Sequence, residues 1–318
     1  MSESTVTPPD TPGDLARGGA AGRASDRIFN GLTLGAGILI FVVLALVTLY
    51  LIFQSLPAMT AAPSQLSSGT SFWAYVGPLV VGTLIAAFIA LLVATPVAIG
   101  VALFISHYAP ARISKTVGYV IDLLAAIPSV VYGAWGFTVF GPALVPGYKW
   151  LHEHLGFIPL FGTPSTTGRT LLTAALVLAV MILPIITSQC REIFLQTPSL
   201  HQEAALALGA TKWDMIRASV FPFARNGIVS ALMLGLGRAL GETMAVTLVL
   251  SRGALTPNLI GAGNNTIPAE IALNFPEAYG MRQSELIAAG LVLFIITLLV
   301  NMIARWIVRH YAEFSGAN

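Results

Sequence analysis

The sequence predicts an all-α polytopic membrane protein with six transmembrane helices. Three observations carry this. The 318 residues are 56% apolar and only 9% charged, with a mean hydropathy of +0.81, far from the usage of a soluble domain. Six stretches, roughly 29–56, 75–106, 117–143, 170–189, 224–250 and 285–308, are long enough to cross a bilayer core, which takes about 20 apolar helical residues. Lys and Arg also gather on alternate loops, as the positive-inside rule requires.

Taken in order, residues 1–26 are rich in Ser, Thr, Pro, Gly and Ala, a composition expected to give a disordered tail. Arg17, Arg23 and Arg27 precede the first span and argue for a cytoplasmic amino terminus. That span has no small-residue cleavage site and is longer than the roughly 7–15 residues of a signal core, so it reads as a retained helix. The membrane-embedded body is then 27–318. Loop 57–74 has no Lys or Arg and belongs outside, whereas Arg112 and Lys115 return the next loop to the cytoplasm. Arg191, Lys212, Arg217 and Arg225 place the loop between spans four and five inside, and Arg305 and Arg309 the carboxyl end; Lys149, Arg169, Arg252 and Arg282 are the basic residues of outer loops. Both termini are therefore cytoplasmic. The net charge of +2 gives no basic patch and no nucleic-acid partner. Cys190 is the only cysteine, so no intrachain disulfide forms.

Pro96 in span two is expected to kink it and free a backbone carbonyl. Span three carries AAIPSVVYGAWG, with Pro128, Ser129, Tyr132, Gly133 and Gly136; a broken helix of small residues can line a polar cavity, or simply pack closely through its glycines. Asp122, at the cytoplasmic end of that span, reads as structural, satisfied by Lys115 or water. In the outer loops, His152 and His154 flank Glu153, but residues two apart do not share a helical face, so no metal site is expected. Loop 251–284 is long enough to hold a short helix.

Span five reads NGIVSALMLGLGRALGETMAVTLVL. Arg238 stands 13 residues after Arg225 and 14 before Arg252, which at the helical rise is roughly 20 Å from either end and close to the midplane. An arginine there costs about 2.5–3.5 kcal/mol on insertion scales. Glu242 is one turn further on the same face, so the two side chains can pair, while Gly237 and Gly241 let a neighbouring backbone approach. Two readings stay open: a buried ion pair that orients the helix, or a cationic site presenting a planar donor fork to an oxyanion.

Residues 199–222, SLHQEAALALGATKWDMIRASVFP, are the one long amphipathic stretch between two apolar ones. Ser199 with Gln202 has the form of a capping box. Leu200, Ala204 and Leu208 share a face, Gly209 can supply a left-handed stop, and Thr211 with Asp214 can cap a second short helix that ends at Pro222. On composition alone this is an interfacial helix pair.

Glu203-Ala204-Ala205, then Gly209, then Phe221-Pro222 resembles the cytoplasmic loop that couples ATP-binding-cassette importer permeases to their ATPase; Ser219 departs from the usual aliphatic residue. RALGETMAV and IPSVVYG resemble the PstC-type permeases of the phosphate importer, and the likeness runs from about residue 27 to 312. This resemblance implies a type I importer permease fold in a bacterial inner membrane, forming half of a phosphate pathway. It implies a substrate path with Arg238, Glu242, Ser129, Tyr132 and Thr243, and an ATPase contact through Glu203, Ala204, Ala205, Gly209, Trp213 and Pro222. The implied partners are a PstA-type sister permease, an ATPase dimer carrying ATP and Mg, an extracytoplasmic phosphate-binding protein and membrane lipid. No cofactor is expected on this chain.

In the residues themselves there is no GxxxxGK[ST] phosphate loop, which fits a permease that needs a separate ATPase and fits an ion-gradient-driven transporter equally. A membrane enzyme finds no HExxH or GxSxG, and all five histidines lie in loops or at span ends. Sulfate and molybdate remain alternative cargoes. Glu242 would either accept a hydrogen bond from the proton that phosphate retains near neutral pH, while Arg238 holds the charge, or only orient Arg238.

Overall fold

The computed structural model describes residues 12–313 apart from 68, 252 and 255, and side chains from 28 to 306 apart from those three and 111. Arg252 and Arg309 therefore lie outside the described side chains. Chain contacts divide into two units, Met1–Phe53 and Gln54–Asn318. The first is helical: α1 (Pro12–Thr60) begins within it, so the expected disordered tail is helical from Pro12, and residues 1–11 are outside the description. No residue from 13 to 56 is proline, so nothing in the tail's sequence forces a break ahead of the span. No strand occurs among the described residues.

The core of the second unit is set by alanine. In α2 (Phe72–Leu103), Ala86, Ala90, Ala94, Ala98 and Ala102 recur every fourth residue and are at most 1% exposed. They form one stripe of minimal side chains. Lipid tails are as apolar as leucine, so helices in a bilayer associate through close packing rather than through expulsion of water. The stripe permits that packing against α6 (Leu171–Leu195), whose Leu178, Ile182, Ile186 and Phe194 are fully buried.

Among the described residues, six helices are long and apolar enough to span: Ile28–Thr60, Phe72–Tyr108, Ser129–Leu155, Leu171–Leu195, Lys212–Gly241 and Met281–Trp306. Two differ from the expected spans. The third does not start at 117; α3 (Ala111–Ala125) is a separate helix, a break follows at 126–128, and α4 (Ser129–Trp135) and α5 (Gly141–Leu155) make the span. Pro128 has no N–H and disfavours a helical Ile127. The fifth span stops at Gly241 instead of running to 250: after α7 (Ser199–Ala207) and α8 (Lys212–Met215) comes α9 (Phe221–Gly241), then an extended Glu242 and α10 (Met244–Val249).

Proline also explains a feature that the sequence did not suggest. Three π-turns occur among the described residues, at Phe104–Tyr108, Gly136–Phe140 and Ile216–Val220. Each is followed two residues later by a proline, Pro110, Pro142 or Pro222. The residue just before each proline donates to the carbonyl five back, as Phe221 does to Ile216. The widened turn relieves the clash of the ring with the preceding turn. Pro222 consequently does not end the second helix of residues 199–222, and the chain is helical from Lys212 to Gly241.

At the end opposite α7, the long loops are knitted together. Leu259 N–H donates to Leu160 O (2.9 Å) and Ser165 N–H to Ile260 O (2.8 Å). Beyond them, α11 (Ile267–Asn274) is the short helix expected in loop 251–284. It is fixed to α2 and to α12 (Met281–Glu313) by polar contacts. Glu270 accepts from Tyr75 (2.9 Å), Asn265 (2.7 Å) and Arg282 (2.7 Å), and Arg282 also pairs with Glu285 at 2.9 Å. His152 Nδ1 and His154 Nδ1 lie 3.1 Å and 2.9 Å from backbone carbonyl oxygens, consistent with two separately occupied side chains.

Candidate functional site

Arg238 and Glu242 do not form the expected pair. The helix that would have stacked them ends at Gly241, and Glu242 is extended (φ −69°, ψ 124°). Its Oε1 instead accepts from Ala245 N–H at 3.2 Å, capping the first turn of α10. A carboxylate at a helix N-terminus satisfies an otherwise orphaned donor and has the sign the helix dipole favours. Arg238 is left exposed on the chain, and among the described residues its guanidinium has no hydrogen bond or ion pair. Gly237 and Gly241 flank it with open space: a Cβ at either would meet nothing within 4 Å. The close backbone neighbour expected at these glycines is thus not supplied by this chain.

The break in span three lies beside this one. Tyr132 is within Coulombic reach of Arg238, and its hydroxyl donates to Leu124 O at 2.9 Å. Leu124 is four residues before Pro128, so its carbonyl has lost its regular helical donor, and the phenol supplies a replacement. Ser129 opens α4 and is partly buried. Gly133 then lets α4 meet α10, since a Cβ there would lie 2.7 Å from Ala245 Cα. Thr243 donates from its hydroxyl to Gly241 O (3.1 Å) and, through its carbonyl, accepts from Thr247 (2.7 Å). Ser129, Tyr132, Arg238, Glu242 and Thr243 therefore collect where two membrane helices are broken. Tyr132, Glu242 and Thr243 are occupied with holding those breaks, and Arg238 is the cation left available.

Residues 199–222 fold as a helix, a left-handed stop and a second helix. The first cap differs from expectation: Pro198 precedes α7 with no side-chain cap, and Gln202 Nε2 donates to Thr197 O at 3.0 Å. Starting the helix at Ser199 itself removes that serine from the N-cap position. The stop is as read. Gly209 has φ +84°, with Gly209 N–H donating to Leu206 O (3.0 Å) and Ala210 N–H to Ala205 O (3.2 Å), the paired bonds of a Schellman turn. Thr211 and Asp214 make a full capping box. Ser219 donates to His201 O at 3.2 Å, tying the returning helix to α7.

This elbow sits on an aromatic base. Trp213 and Phe194 each meet Phe221 edge-on at 6.2 Å between centroids, and His107 meets Phe194 at 6.5 Å. Ala205 packs on the core, but Glu203, Ala204, Gly209 and Trp213 are exposed, as are Leu200 (73%) and Leu208 (90%). Asp122, on α3, accepts from Ser188 (2.8 Å) with Arg191 at 4.0 Å, rather than pairing with Lys115.

Residues 94–313 match the family of binding-protein-dependent transport system inner membrane components. A Mycobacterium tuberculosis protein described as phosphate transport system permease protein PstC 2 is 41% identical over 297 residues, covering 89% of this chain and 91% of the relative. The PstC protein of Mesorhizobium japonicum is 38% identical over 305 residues, covering 92% and 93%. The chain belongs to the PstC family of inner-membrane permeases. Solved importers share the architecture: a permease of the methionine ABC transporter MetNI (TM-score 0.54, 20% identity, 75% of this chain and 96% of that one) and one of a bacterial alginate ABC transporter (0.59, 18%, 91% and 98%). The PstC chain thus has the type I importer permease fold and is a multi-pass inner-membrane protein with a transport role, working with other transporter components.

One residue of this PstC chain escaped the sequence reading. Arg169 counted there only as a basic residue of an outer loop, but its Nη2 donates to Leu250 O at 2.7 Å and its guanidinium lies 5.3 Å from the Phe137 ring centroid. An arginine directly ahead of a span was visible in the sequence; the carbonyl that it reaches, 81 residues away, was not.

Proposed function

We propose that this chain is one permease subunit of an ATP-driven phosphate importer. It forms half of the anion pathway beside a PstA-type sister permease, above a dimer of ATPase subunits that carry ATP and Mg, and receives phosphate from an extracytoplasmic binding protein. Both termini and the 199–222 elbow face the cytoplasm. The observation that supports this best is the unspent guanidinium of Arg238, at a helix break and flanked by two open glycines. A charge kept only for packing would be paired within the chain; a charge kept for cargo is free to offer a planar donor fork to an oxyanion. The relatives' description as phosphate permeases selects phosphate among oxyanions.

In this reading the elbow offers Leu200, Leu208, Glu203 and Trp213 to a groove on the ATPase, with Gly209 setting the angle between its two helices. The chain contributes no nucleotide site of its own. Co-expression with the cognate sister permease, ATPase and binding protein, followed by reconstitution in liposomes, tests the assignment. Phosphate uptake that requires ATP and all four components is the expected result. Uptake of phosphate by the isolated chain, or stimulation by sulfate or molybdate but not by phosphate, overturns it.

A further inference from the structure

The six-residue helix α10 is held at both ends by charge. At its start, Glu242 caps Ala245 N–H. At its finish, Leu250 O receives the guanidinium of Arg169 at 2.7 Å. A carboxylate at the N-terminal end and a guanidinium at the C-terminal end each have the favourable sign for the aligned peptide dipoles. Between these ends α10 lies on span three, with Gly133 against Ala245 and Gly136 against Val249. The arginine itself stands one residue before Thr170, the N-cap of α6, so it links the buried helix of the core to the broken one.

The contact is more specific than a generic C-terminal cap. Arg169 also lies over Phe137 in the π-turn of span three, and its Nε is buried with no partner. A buried donor without a partner carries a desolvation cost. A glutamine is neutral and two bonds shorter, so it would keep neither the charge nor the bond to that carbonyl. What the guanidinium adds is a fixed charge and a flat face for the ring. We propose that Arg169 is a positioning residue for transport. It sets α10 from its far end, and through α10 the place of Glu242 and of the break beside Arg238. This rests on the phosphate-import reading above.

The test uses the fully assembled importer in liposomes. Losing the charge-assisted bond in Arg169→Gln should lower the maximal import rate by about tenfold, with the apparent KM for phosphate changed less than about twofold. Arg169→Lys keeps a charged donor and should stay within about threefold of wild type. Because Glu242 and Arg169 act on one helix, Arg169→Gln with Glu242→Gln should be no slower than the slower single variant. Hydrogen exchange of residues 244–250 in the purified complex gives a readout that needs no phosphate, and should accelerate by about tenfold in Arg169→Gln. Should that variant fail to assemble, Phe137→Leu removes the stacking face alone and should lower the rate by about threefold. Import within twofold of wild type in Arg169→Gln, losses that multiply in the double variant, or unchanged exchange across α10 overturns the proposal. A wild-type complex that hydrolyses ATP but moves no phosphate sinks the cargo assignment instead, and leaves the exchange result to decide the role of Arg169.

Discussion

Glu242 accepts the backbone N–H of Ala245 at 3.2 Å and so turns its carboxylate to the helix that follows it, away from Arg238 on the helix that precedes it. The two charges share a short stretch of sequence without sharing a bond. Their roles separate: one shapes the backbone at the break, the other stays available.

Replacing Arg238 by Gln should therefore abolish import without loosening the chain. The expected loss is roughly a hundredfold or more in rate, from the about 2–5 kcal/mol that removing one partner of a desolvated charge pair costs. Yield and thermal unfolding of the purified complex should match wild type, since the side chain has no described partner to lose. A thermal shift as large as that of a core variant would return Arg238 to a packing role. Arg238→Lys should recover only part of the rate, because a point charge lacks the planar fork.

The angle of the elbow depends on one backbone conformation. Gly209 has φ +84° and no atom within 4 Å of a built Cβ, so only the backbone, and no neighbour, resists a side chain there. Gly209→Val should strain the turn by about 1–2 kcal/mol and uncouple ATP hydrolysis from import. Gly209→Asn, which tolerates that conformation, should remain coupled. Parallel assays of hydrolysis and uptake separate the two variants; equal coupling in both would remove Gly209 from the coupling step.

The alanine stripe predicts a stability effect far from any charge. Ala94 is fully buried between α2 and α6, and Ala94→Leu inserts three carbons into a packed seam. The expected cost is about 1–3 kcal/mol, read as a lower thermal unfolding midpoint in detergent. The exposed Phe88→Leu on the same helix serves as the contrast, with a change within about 0.5 kcal/mol.

The polar cluster at the far end gives the largest expected loss. Arg282 bridges Glu270 and Glu285, and the Glu285 side chain is only 1% exposed. Arg282→Met leaves both carboxylates without their cation and should destabilise by about 3–5 kcal/mol. Adding Glu285→Gln to Arg282→Met should recover part of that. No recovery would mean that the cluster acts through shape rather than charge.

Much of the fold was legible because bilayer thickness acts directly on composition. The number of apolar stretches, the left-handed Gly209 and the Thr211–Asp214 box all follow from local rules, although the third and fifth spans have other bounds than those rules gave. Hydropathy could not register the breaks. Glu242 and Thr243 sit inside an apolar run with no proline, so a continuous helix was the simplest reading, and the i, i+4 pair followed from it. Pro222 misled in the opposite direction, because a π-turn absorbs a proline that ordinary helical geometry would treat as a stop. The partners of Asp122 and Arg169 depend on which helices neighbour each other, and a single sequence read locally contains no such information.

The unfilled space at Gly237 and Gly241 bears on the life of the molecule before assembly. A newly inserted copy on its own would expose the neighbouring guanidinium to hydrocarbon, a state that costs about 2.5–3.5 kcal/mol, until a second polypeptide covers that side. Surplus copies should therefore be recognised and removed faster than paired ones. Pulse-chase labelling with and without the proposed sister subunit would measure this, and equal half-lives would argue against it. Abundance of the chain would then follow the supply of its neighbour rather than its own rate of synthesis.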